Sequence, residues 1–189
     1  MNYSESELKE IFGSVGKNVR VDKSCALFGA ERIHLGSNVR IDCQTVLSAG
    51  EKGIVIGDNV HIAVWAGLFG ASGAIAIESF CGISVRATLF TGTDDFALGF
   101  LTNPTIPAKY RHVKCGDVAL RRHALVGCGA VVMPVTLGVA AAVGALSFVN
   151  KDVGDFEIVS GRPAIKVGMR HPRILDLERQ FLDEQAASN

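Results

Sequence analysis

An aliphatic residue returns at every sixth position through most of this chain, and this period restricts the possible folds more than any other feature. A period of six matches neither the 3.6-residue turn of an α-helix nor the two-residue alternation of a long strand. It predicts a short strand followed by a corner, repeated along the chain. The residues in this position are Val15, Val21, Leu27, Leu35, Ile41, Leu47, Ile56, Ile62, Leu68, Ile77, Ile83, Leu89, Leu120, Val126, Val132, Leu137, Val143 and Val149.

Three such units make one triangular coil of about 18 residues, and stacked coils pair their strands in parallel around an aliphatic interior. We therefore expect an all-β fold, a parallel β-helix of about six coils. The capping-box residues Ser4 and Glu7 predict an N-terminal capping helix within residues 1–14. The hexads then define a β-helix over 15–170, interrupted by a projecting loop at 91–117, and a C-terminal helix and tail follow at 171–189. We expect this last helix to pack on an oligomer or on the end of the coils.

The composition excludes several classes of protein. Nineteen Lys and Arg balance nineteen Asp and Glu, so no net field favours nucleic acid. The five Cys residues form no CxxC pair, which argues against a metal site and against a disulfide framework. The N-terminus carries acidic residues where a signal peptide would carry basic and apolar ones, so we predict a cytoplasmic protein.

The stretch 124–149 has no charged side chain and is long enough for a membrane helix. Its Gly127, Gly138, Gly144 and Pro134 would weaken such a helix, yet they fall at or near corners of the hexad pattern. We therefore predict no membrane insertion. The uncharged outer surface and the mean hydropathy of +0.29 predict an oligomer instead.

The hexads and the ending 149–170 (VNKDVGDFEIVSGRPAIKVGMR) resemble the hexapeptide-repeat acyltransferases. This resemblance implies a left-handed β-helix, a homotrimer, and acetyl-coenzyme A or a longer acyl-coenzyme A as the acyl donor, without a metal. The chain departs from the family pattern at two places. Arg162 replaces the Asn of the family's Gly-Asn-Pro-Ala turn, and the usual Gly between Pro134 and Val135 is missing.

The stretch GTDDFALGFLTNPTIPAKYRHV is similar to enzymes of O-antigen and lipopolysaccharide biosynthesis that acylate an amino group on a nucleotide-linked deoxysugar. The implied function is coenzyme A-dependent acyl transfer to the amino group of such a nucleotide-linked amino sugar. Two alternatives remain open: a sugar O-acetyltransferase, and a noncatalytic β-helix that serves as a scaffold.

Many family members place a catalytic His at the start of the projecting loop, where this chain has Gly92, Thr93, Asp94 and Asp95. Asp94 is the first candidate to orient the amine or accept its proton, and Asp95 is the second. An Asp with its ordinary pKa of about 4 is a poor base, but an amine needs deprotonation less than a hydroxyl does, which favours N-acylation. His61 is an alternative catalytic residue on an outer face. The structural alternative is that Thr93, Asp94 and Asp95 form a turn that begins the loop.

Two groups of residues are candidates for binding. Lys109, Tyr110 and Arg111 in the loop suit the base and phosphates of a nucleotide, or form a solvated basic cluster. The resemblance implies that coenzyme A lies in a groove between subunits. It would contact backbone near Gly127, Gly144 and Ala145, with its phosphates near Arg162 and Lys166. Corner geometry alone would also explain the small residues.

Overall fold

The computed structural model describes residues 1–187, in which six coils of three strands each follow one another. The strands of the first three coils are β1 (Ser14–Val15), β2 (Arg20–Val21), β3 (Ala26–Phe28), β4 (Ile33–Leu35), β5 (Arg40–Ile41), β6 (Val46–Ala49), β7 (Ile54–Ile56), β8 (His61–Ile62) and β9 (Gly67–Gly70). The fourth coil contains β10 (Ile75–Ile77), β11 (Gly82–Ile83) and β12 (Thr88–Phe90), and the loop contains β13 (Gly92–Asp94) and β14 (Val113–Cys115). The remaining strands are β15 (Val118–Leu120), β16 (Leu125–Val126), β17 (Val131–Val132), β18 (Thr136–Leu137), β19 (Ala142–Val143), β20 (Phe148–Val149), β21 (Glu157–Gly161) and β22 (Ala164–Met169).

The strands stack into three parallel faces of a left-handed prism. Face one contains the first strand of each coil, and face three contains the third strand. Face two contains the second strand of each coil and ends with β21 and β22. The registers align the predicted hexad positions with one another, as in the row Leu27, Leu47, Leu68, Leu89, Val132 and Val149. Every hexad residue is buried except Val15 and Leu27, which are half-buried in the first coil. The predicted β-helix of about six coils is therefore confirmed.

The three corners of the prism differ. Corner A joins faces one and two, and corner B joins faces two and three; both turn through single residues with φ between 56° and 65°. These residues are Asn18, Asn38, Asn59, Phe80, His123 and Ala140 at corner A, and Gln44, Trp65, Arg86, Gly129 and Leu146 at corner B. Corner C joins faces three and one and contains the insertions: the 3₁₀ turn Ala30–Arg32, the turns at 50–53 and 70–73, and the projecting loop. The loop therefore rests on the insertions of earlier coils.

Helix α1 (Glu5–Ile11) covers the first coil, with Leu8 and Phe12 buried in the core. The predicted capping box is present: the Ser4 side chain accepts from the Glu7 N–H, and the Glu7 carboxylate accepts from the Ser4 N–H. This satisfies donors that the first helical turn would otherwise leave unpaired.

Helix α2 (Arg173–Ala187) lies along corner A rather than on the end of the coils, and packing on an oligomer, the other expected position, stays a prediction. The Oε2 atom of Glu178 on this helix lies 2.5 Å from His123 Nε2, and the same carboxylate pairs with Arg122. Phe181 meets the Phe80 ring edge-on, with centroids 6.0 Å apart. These contacts place the helix beside the earlier coils. Residues 188–189 of the predicted tail lie outside the described part of the chain.

The uncharged stretch 124–149 forms most of coils five and six rather than a helix. Within residues 1–187, no helix has both the length and the apolar character needed to span a membrane.

Candidate active site

The projecting loop leaves corner C directly after β12 and returns through an antiparallel hairpin. In this hairpin Gly92 pairs with Cys115, Thr93 with Lys114 and Asp94 with Val113. The base of the loop is anchored by the buried Thr91, whose hydroxyl donates to the Phe69 carbonyl and accepts from the Ser72 N–H, both at 3.0 Å. The insertion at 70–73 thus supports the loop from the coil below.

Asp94 is the last residue of β13, and both of its carboxylate oxygens have a neighbour. Oδ2 accepts a hydrogen bond from the Asn103 N–H at 2.8 Å, and Oδ1 lies 3.8 Å from Nη1 of Arg111. The Asp94 side chain is 26% exposed. The carboxylate is therefore restrained in direction yet reachable by a ligand.

Asp95 has a different environment, because its side chain is fully buried. One oxygen accepts from the Ala97 N–H at 3.0 Å, and the other lies 3.3 Å from His112 Nδ1 and 3.3 Å from Lys114 Nζ. The hydrogen bond from Ala97, followed by those from Lys114 and His112, holds the pKa of Asp95 below its ordinary value although burial acts to raise it. Such a carboxylate is a weak base, and its contacts tie the two ends of the loop together.

The three predicted nucleotide-binding residues of the loop separate in the structure. Lys109 and Tyr110 belong to the exposed 3₁₀ turn Ala108–Tyr110, where the Lys109 ammonium lies 4.8 Å from the centre of the Tyr110 ring. Arg111 follows that turn and points back to Asp94. The first two residues can therefore meet an incoming ligand, while Arg111 already faces a carboxylate of the loop.

His61 faces outward from β8 on face two, away from the loop at corner C. Its Nε2 lies 2.8 Å from Oδ2 of Asp42, and its side chain is 51% exposed. Burial acts to raise the pKa of Asp42, but the hydrogen bonds from His61 and Arg40 together outweigh it, so the pKa lies below its ordinary value. His61 and Asp94 thus lie on separate parts of the prism.

Four of the five residues predicted to bind coenzyme A lie at corner B in the last coils, namely Gly127, Gly144, Ala145 and Arg162, whereas Lys166 lies on β22 of face two. A cleft of about 640 Å³ opens at corner B beside Arg162, with Leu146, Phe148 and Pro163 among its lining residues. Arg162 and Pro163 form the turn between β21 and β22 and are joined by a cis peptide bond. Arg162 Nε donates to the Leu146 carbonyl at 2.6 Å, which holds the guanidinium at the edge of the cleft. An apolar cleft with one cation at its rim suits a pantetheine arm and a phosphate.

The small residues of corner B also have structural roles. The N–H groups of Gly127 and Gly144 donate to the Val143 and Val159 carbonyls, each at 2.8 Å. A Cβ on Gly127 would lie 2.6 Å from the Val143 oxygen, so this glycine is required for the coils to stack. Ala145 is exposed beside them. Lys166 is on β22 and pairs with Glu157 at 2.9 Å, so part of its charge is already balanced.

Face three separates the two groups of candidates. The loop lies at its corner C edge, and Arg162 with the cleft lies at its corner B edge. The outward residues of this face are uncharged, and the Phe69 and Phe90 rings stack with centroids 5.0 Å apart. These outward residues are Ala26, Phe28, Val46, Ser48, Phe69, Thr88, Phe90, Val131 and Phe148.

Sequence reasoning did not find Asn103, whose N–H reaches Asp94 across nine residues of irregular chain. Its left-handed backbone, with φ of 78°, and the Asn-Pro pair at 103–104 are turn signals, but they do not name the partner. Leu146 and Phe148 were also missed, because their side chains follow the ordinary repeat and only the β21–β22 turn makes them part of a cleft.

The cysteines divide into buried and exposed thiols. Cys25 and Cys81 are small residues that fill the prism, and burial raises the pKa of Cys25 to about 11 and that of Cys81 to about 12. Cys43, Cys115 and Cys128 are exposed. In residues 1–187 no three His, Cys, Asp or Glu side chains are grouped so that they could hold a metal ion.

The chain folds as a left-handed β-helix with a projecting loop at one corner and an apolar cleft at another, and comparison with known proteins identifies its class. No protein-family model matches the chain. The chain is 37% identical over 187 residues to a dTDP-4-amino-4,6-dideoxy-D-glucose acyltransferase of Escherichia coli. The aligned region covers 98% of this chain and 97% of that protein.

Solved structures of AntD, an N-acyltransferase from Bacillus cereus, are similar over the same extent. Its complex with dTDP and 3-hydroxybutyryl-CoA superposes with a TM-score of 0.94, at 37% identity and over 98% of each chain. The S84C variant of AntD, bound to dTDP-4-amino-4,6-dideoxyglucose and coenzyme A, has a TM-score of 0.93, 38% identity and coverage of 97% of each chain. Another AntD structure carries the substitution D94A and contains dTDP and coenzyme A.

The protein therefore belongs to the hexapeptide-repeat acyltransferases. Within that family, its relatives in Escherichia coli and Bacillus cereus are a dTDP-amino-sugar acyltransferase and an N-acyltransferase.

Proposed function

We propose that this protein transfers an acyl group from a coenzyme A thioester to the amino group of a dTDP-linked amino-deoxysugar, with dTDP-4-amino-4,6-dideoxyglucose as the first candidate substrate. The observation that carries the proposal is the similarity to AntD and to the Escherichia coli acyltransferase along nearly the whole chain, loop included. Both relatives are named as acyltransferases, which favours an enzyme over a scaffold. AntD is an N-acyltransferase, which favours an amine over a hydroxyl as the acceptor.

The reaction requires three proton transfers and the exchange of a C–S bond for a C–N bond. A sugar amine that arrives as an ammonium ion first gives one proton to a carboxylate, and the neutral nitrogen then attacks the thioester carbonyl. The C–N bond forms, the C–S bond breaks, and the second nitrogen proton leaves with the thiolate as free coenzyme A. The products are the amide and the thiol, and the carboxylic acid returns its proton to solvent.

We assign the carboxylate to Asp94 rather than to Asp95 or His61. Asp94 is restrained and partly exposed, whereas Asp95 is buried among His112, Lys114 and the Ala97 N–H. His61 belongs to another face and is paired with Asp42. AntD variants with substitutions at its Asp94 and Ser84 exist, and this chain has Asp94 and Ser84 under the same numbers.

We assign coenzyme A to the cleft at corner B. Arg162 at the rim is the proposed phosphate contact. Gly127, Gly144 and Ala145 lie at the same corner but are not among the residues that line the cleft, and they stay proposed contacts to the pantetheine arm. Lys166 can contact a coenzyme A phosphate only while it also shares its charge with Glu157. On the acceptor side, Lys109 and Tyr110 remain the proposed contacts to the nucleotide.

We further propose that the active site is completed by a second copy in a homotrimer. Within one chain, Asp94 and Arg162 lie at opposite edges of face three, so acceptor and donor sites do not meet there. The uncharged outward residues of face three, including the stacked Phe69 and Phe90, supply a surface that association would bury. A cytoplasmic location and a role in lipopolysaccharide biosynthesis stay predictions of the sequence.

Turnover with a panel of acceptors tests the reaction. Release of free thiol is measured with acetyl-coenzyme A or 3-hydroxybutyryl-coenzyme A, using dTDP-linked 4-amino and 3-amino sugars and the 4-hydroxy analogue as acceptors. We expect turnover with an amino sugar and none with the hydroxyl sugar. Turnover with the hydroxyl sugar alone would reject N-acylation.

The role of Asp94 is tested by Asp94→Asn, with Asp176→Asn on helix α2 as the matched control. The first substitution should lower kcat by about 10²-fold, the lower range for general acid–base catalysis. The control carboxylate is exposed and paired with Arg179, so its loss should leave kcat unchanged. Equal rates for the two variants would remove Asp94 from the reaction.

Mixed oligomers test the shared site. Asp94→Asn and Arg162→Ala chains are co-expressed with different tags, purified as hybrids, and assayed at a coenzyme A thioester concentration well below KM. A site built from two copies would regain about a third of its wild-type rate in the purified hybrids, because one of the three interfaces in a mixed trimer pairs two intact residues. A site within one chain would regain nothing.

A further inference from the structure

The loop hairpin has two sides that carry different side chains. Residues opposite each other in an antiparallel pair point to the same side, and successive residues alternate. Asp94 is opposite Val113, so Arg111, two residues before Val113, shares its side; the contact between Arg111 Nη1 and Asp94 Oδ1 agrees. Asp95 continues the pairing through its N–H bond to the His112 carbonyl, and these two side chains occupy the other side together with Lys114.

Arg111 is held in place by its surroundings rather than left free in solvent. Its backbone forms a bridge with Leu101, and its side chain is only 21% exposed. The Nε atom is buried and has no hydrogen-bond partner among residues 1–187. The guanidinium is thus partly desolvated, and within the loop it meets the charge of Asp94.

The two oxygens of Asp94 are approached from different parts of the loop. Asn103, in the middle of the loop, donates to Oδ2, and Arg111, near its end, faces Oδ1. With neighbours on both oxygens the carboxylate cannot rotate without losing a contact. A displacement of about 1 Å at a reacting group can cost roughly 10²-fold in rate, so such restraint matters for a residue on a loop.

We propose that Arg111 is a positioning residue that orients the Asp94 carboxylate towards the sugar amine, and that it is not a ligand of the nucleotide phosphates. This inference rests on the proposed function and names a further residue for that reaction. It also changes the role that sequence reasoning gave to Arg111, while Lys109 and Tyr110 keep theirs.

A double-mutant cycle separates the two roles. Arg111→Met and Arg111→Lys are made in the wild-type protein and in Asp94→Asn, with Arg179→Met on helix α2 as the matched control. The measurements are kcat and KM for the amino-sugar nucleotide, and the Kd for dTDP alone by calorimetry. Melting temperature and oligomeric state are recorded for every variant.

If Arg111 acts through Asp94, Arg111→Met lowers kcat about tenfold or more and leaves the Kd for dTDP unchanged. Arg111→Lys keeps the charge and recovers part of the rate. In the Asp94→Asn protein, Arg111→Met causes no further loss, because the residue it positions is already gone. The Arg179→Met control behaves as wild type.

Two results would overturn the inference. A weaker Kd for dTDP with an unchanged kcat would make Arg111 a phosphate ligand, and equal losses of kcat with and without Asp94 would make it an independent residue. If Arg111→Met does not fold, the same comparisons are made with Arg111→Lys, whose charge is retained. Absence of turnover by the wild-type protein would reject the proposed function itself, whereas turnover with additive losses would reject only the role of Arg111.

Discussion

The coils and the projecting loop are stabilised in different ways. In the coils, each aliphatic residue packs on its equivalents above and below, and residues such as Ile62, Leu68 and Leu89 have no exposed surface. In the loop, Phe96, Leu98 and Leu101 are exposed, and the fixed points are the charged groups around Asp94 and Asp95. Repeated apolar packing makes a rigid support, and a few polar contacts make a surface that can bind and release a ligand.

This difference explains where the candidate catalytic group lies. A carboxylate inside the prism would be desolvated without compensation, whereas the loop can hold one at partial exposure. The coils contribute the position of the loop, because the insertions at corner C stack on one another and carry its base.

The largest expected effect is on the coils. Ile83→Ala removes a buried side chain from face two and should lower the free energy of unfolding by about 2–5 kcal/mol. Urea denaturation at a fixed protein concentration measures the change. Val55→Ala, on the outer side of face one and 52% exposed, is the matched control and should cost less than about 0.5 kcal/mol. Similar losses at the two sites would contradict packing as the source of coil stability.

An intermediate effect, confined to the loop, is expected from Asp95→Asn. Because the pKa of Asp95 is lowered in the folded protein, its contacts stabilise the loop above the ordinary Asp pKa of about 4. That stabilisation is lost as the pH falls through the lowered pKa. Hydrogen exchange at the Ala97 amide, corrected for intrinsic rates, should be slow at neutral pH, faster in acid, and fast at every pH in the variant.

The amide of Ser84, which donates to the Val126 carbonyl between coils, provides the internal reference for that experiment. Its protection should not change in Asp95→Asn. Loss of protection at both amides would mean that the loop and the coils unfold together, and the distinction between the two regions would fail.

The smallest effect on stability is expected from Phe96→Ala in the projecting loop. This side chain is 82% exposed, so its removal should change the free energy of unfolding by less than about 0.5 kcal/mol. Thermal melting at protein concentrations low enough to dissociate an oligomer measures this change for the single chain, without a contribution from contacts between copies. A larger loss of stability would show that Phe96 packs on its own chain.

The hexads predicted the fold because their information is local. Each aliphatic residue needs only a strand, a corner and an equivalent neighbour one coil away, and all three recur with the same period. The capping box at Ser4 was predicted for the same reason, since both of its partners lie within one helical turn. The position of helix α2 along corner A was not predicted, because its docking depends on Glu178 meeting His123, 55 residues away.

The sequence by itself determined a β-helix of about six coils, the corner at which the chain leaves it, and Asp94 as the first acidic residue of the loop. Only the tertiary structure decided that Asp95 is buried between His112 and Lys114, that Arg111 turns to Asp94, and that Arg162 lines a cleft at another corner. The physical reason is that these contacts join irregular segments distant along the chain, whose relative positions follow from the packing of the coils beneath them and not from any repeated pattern.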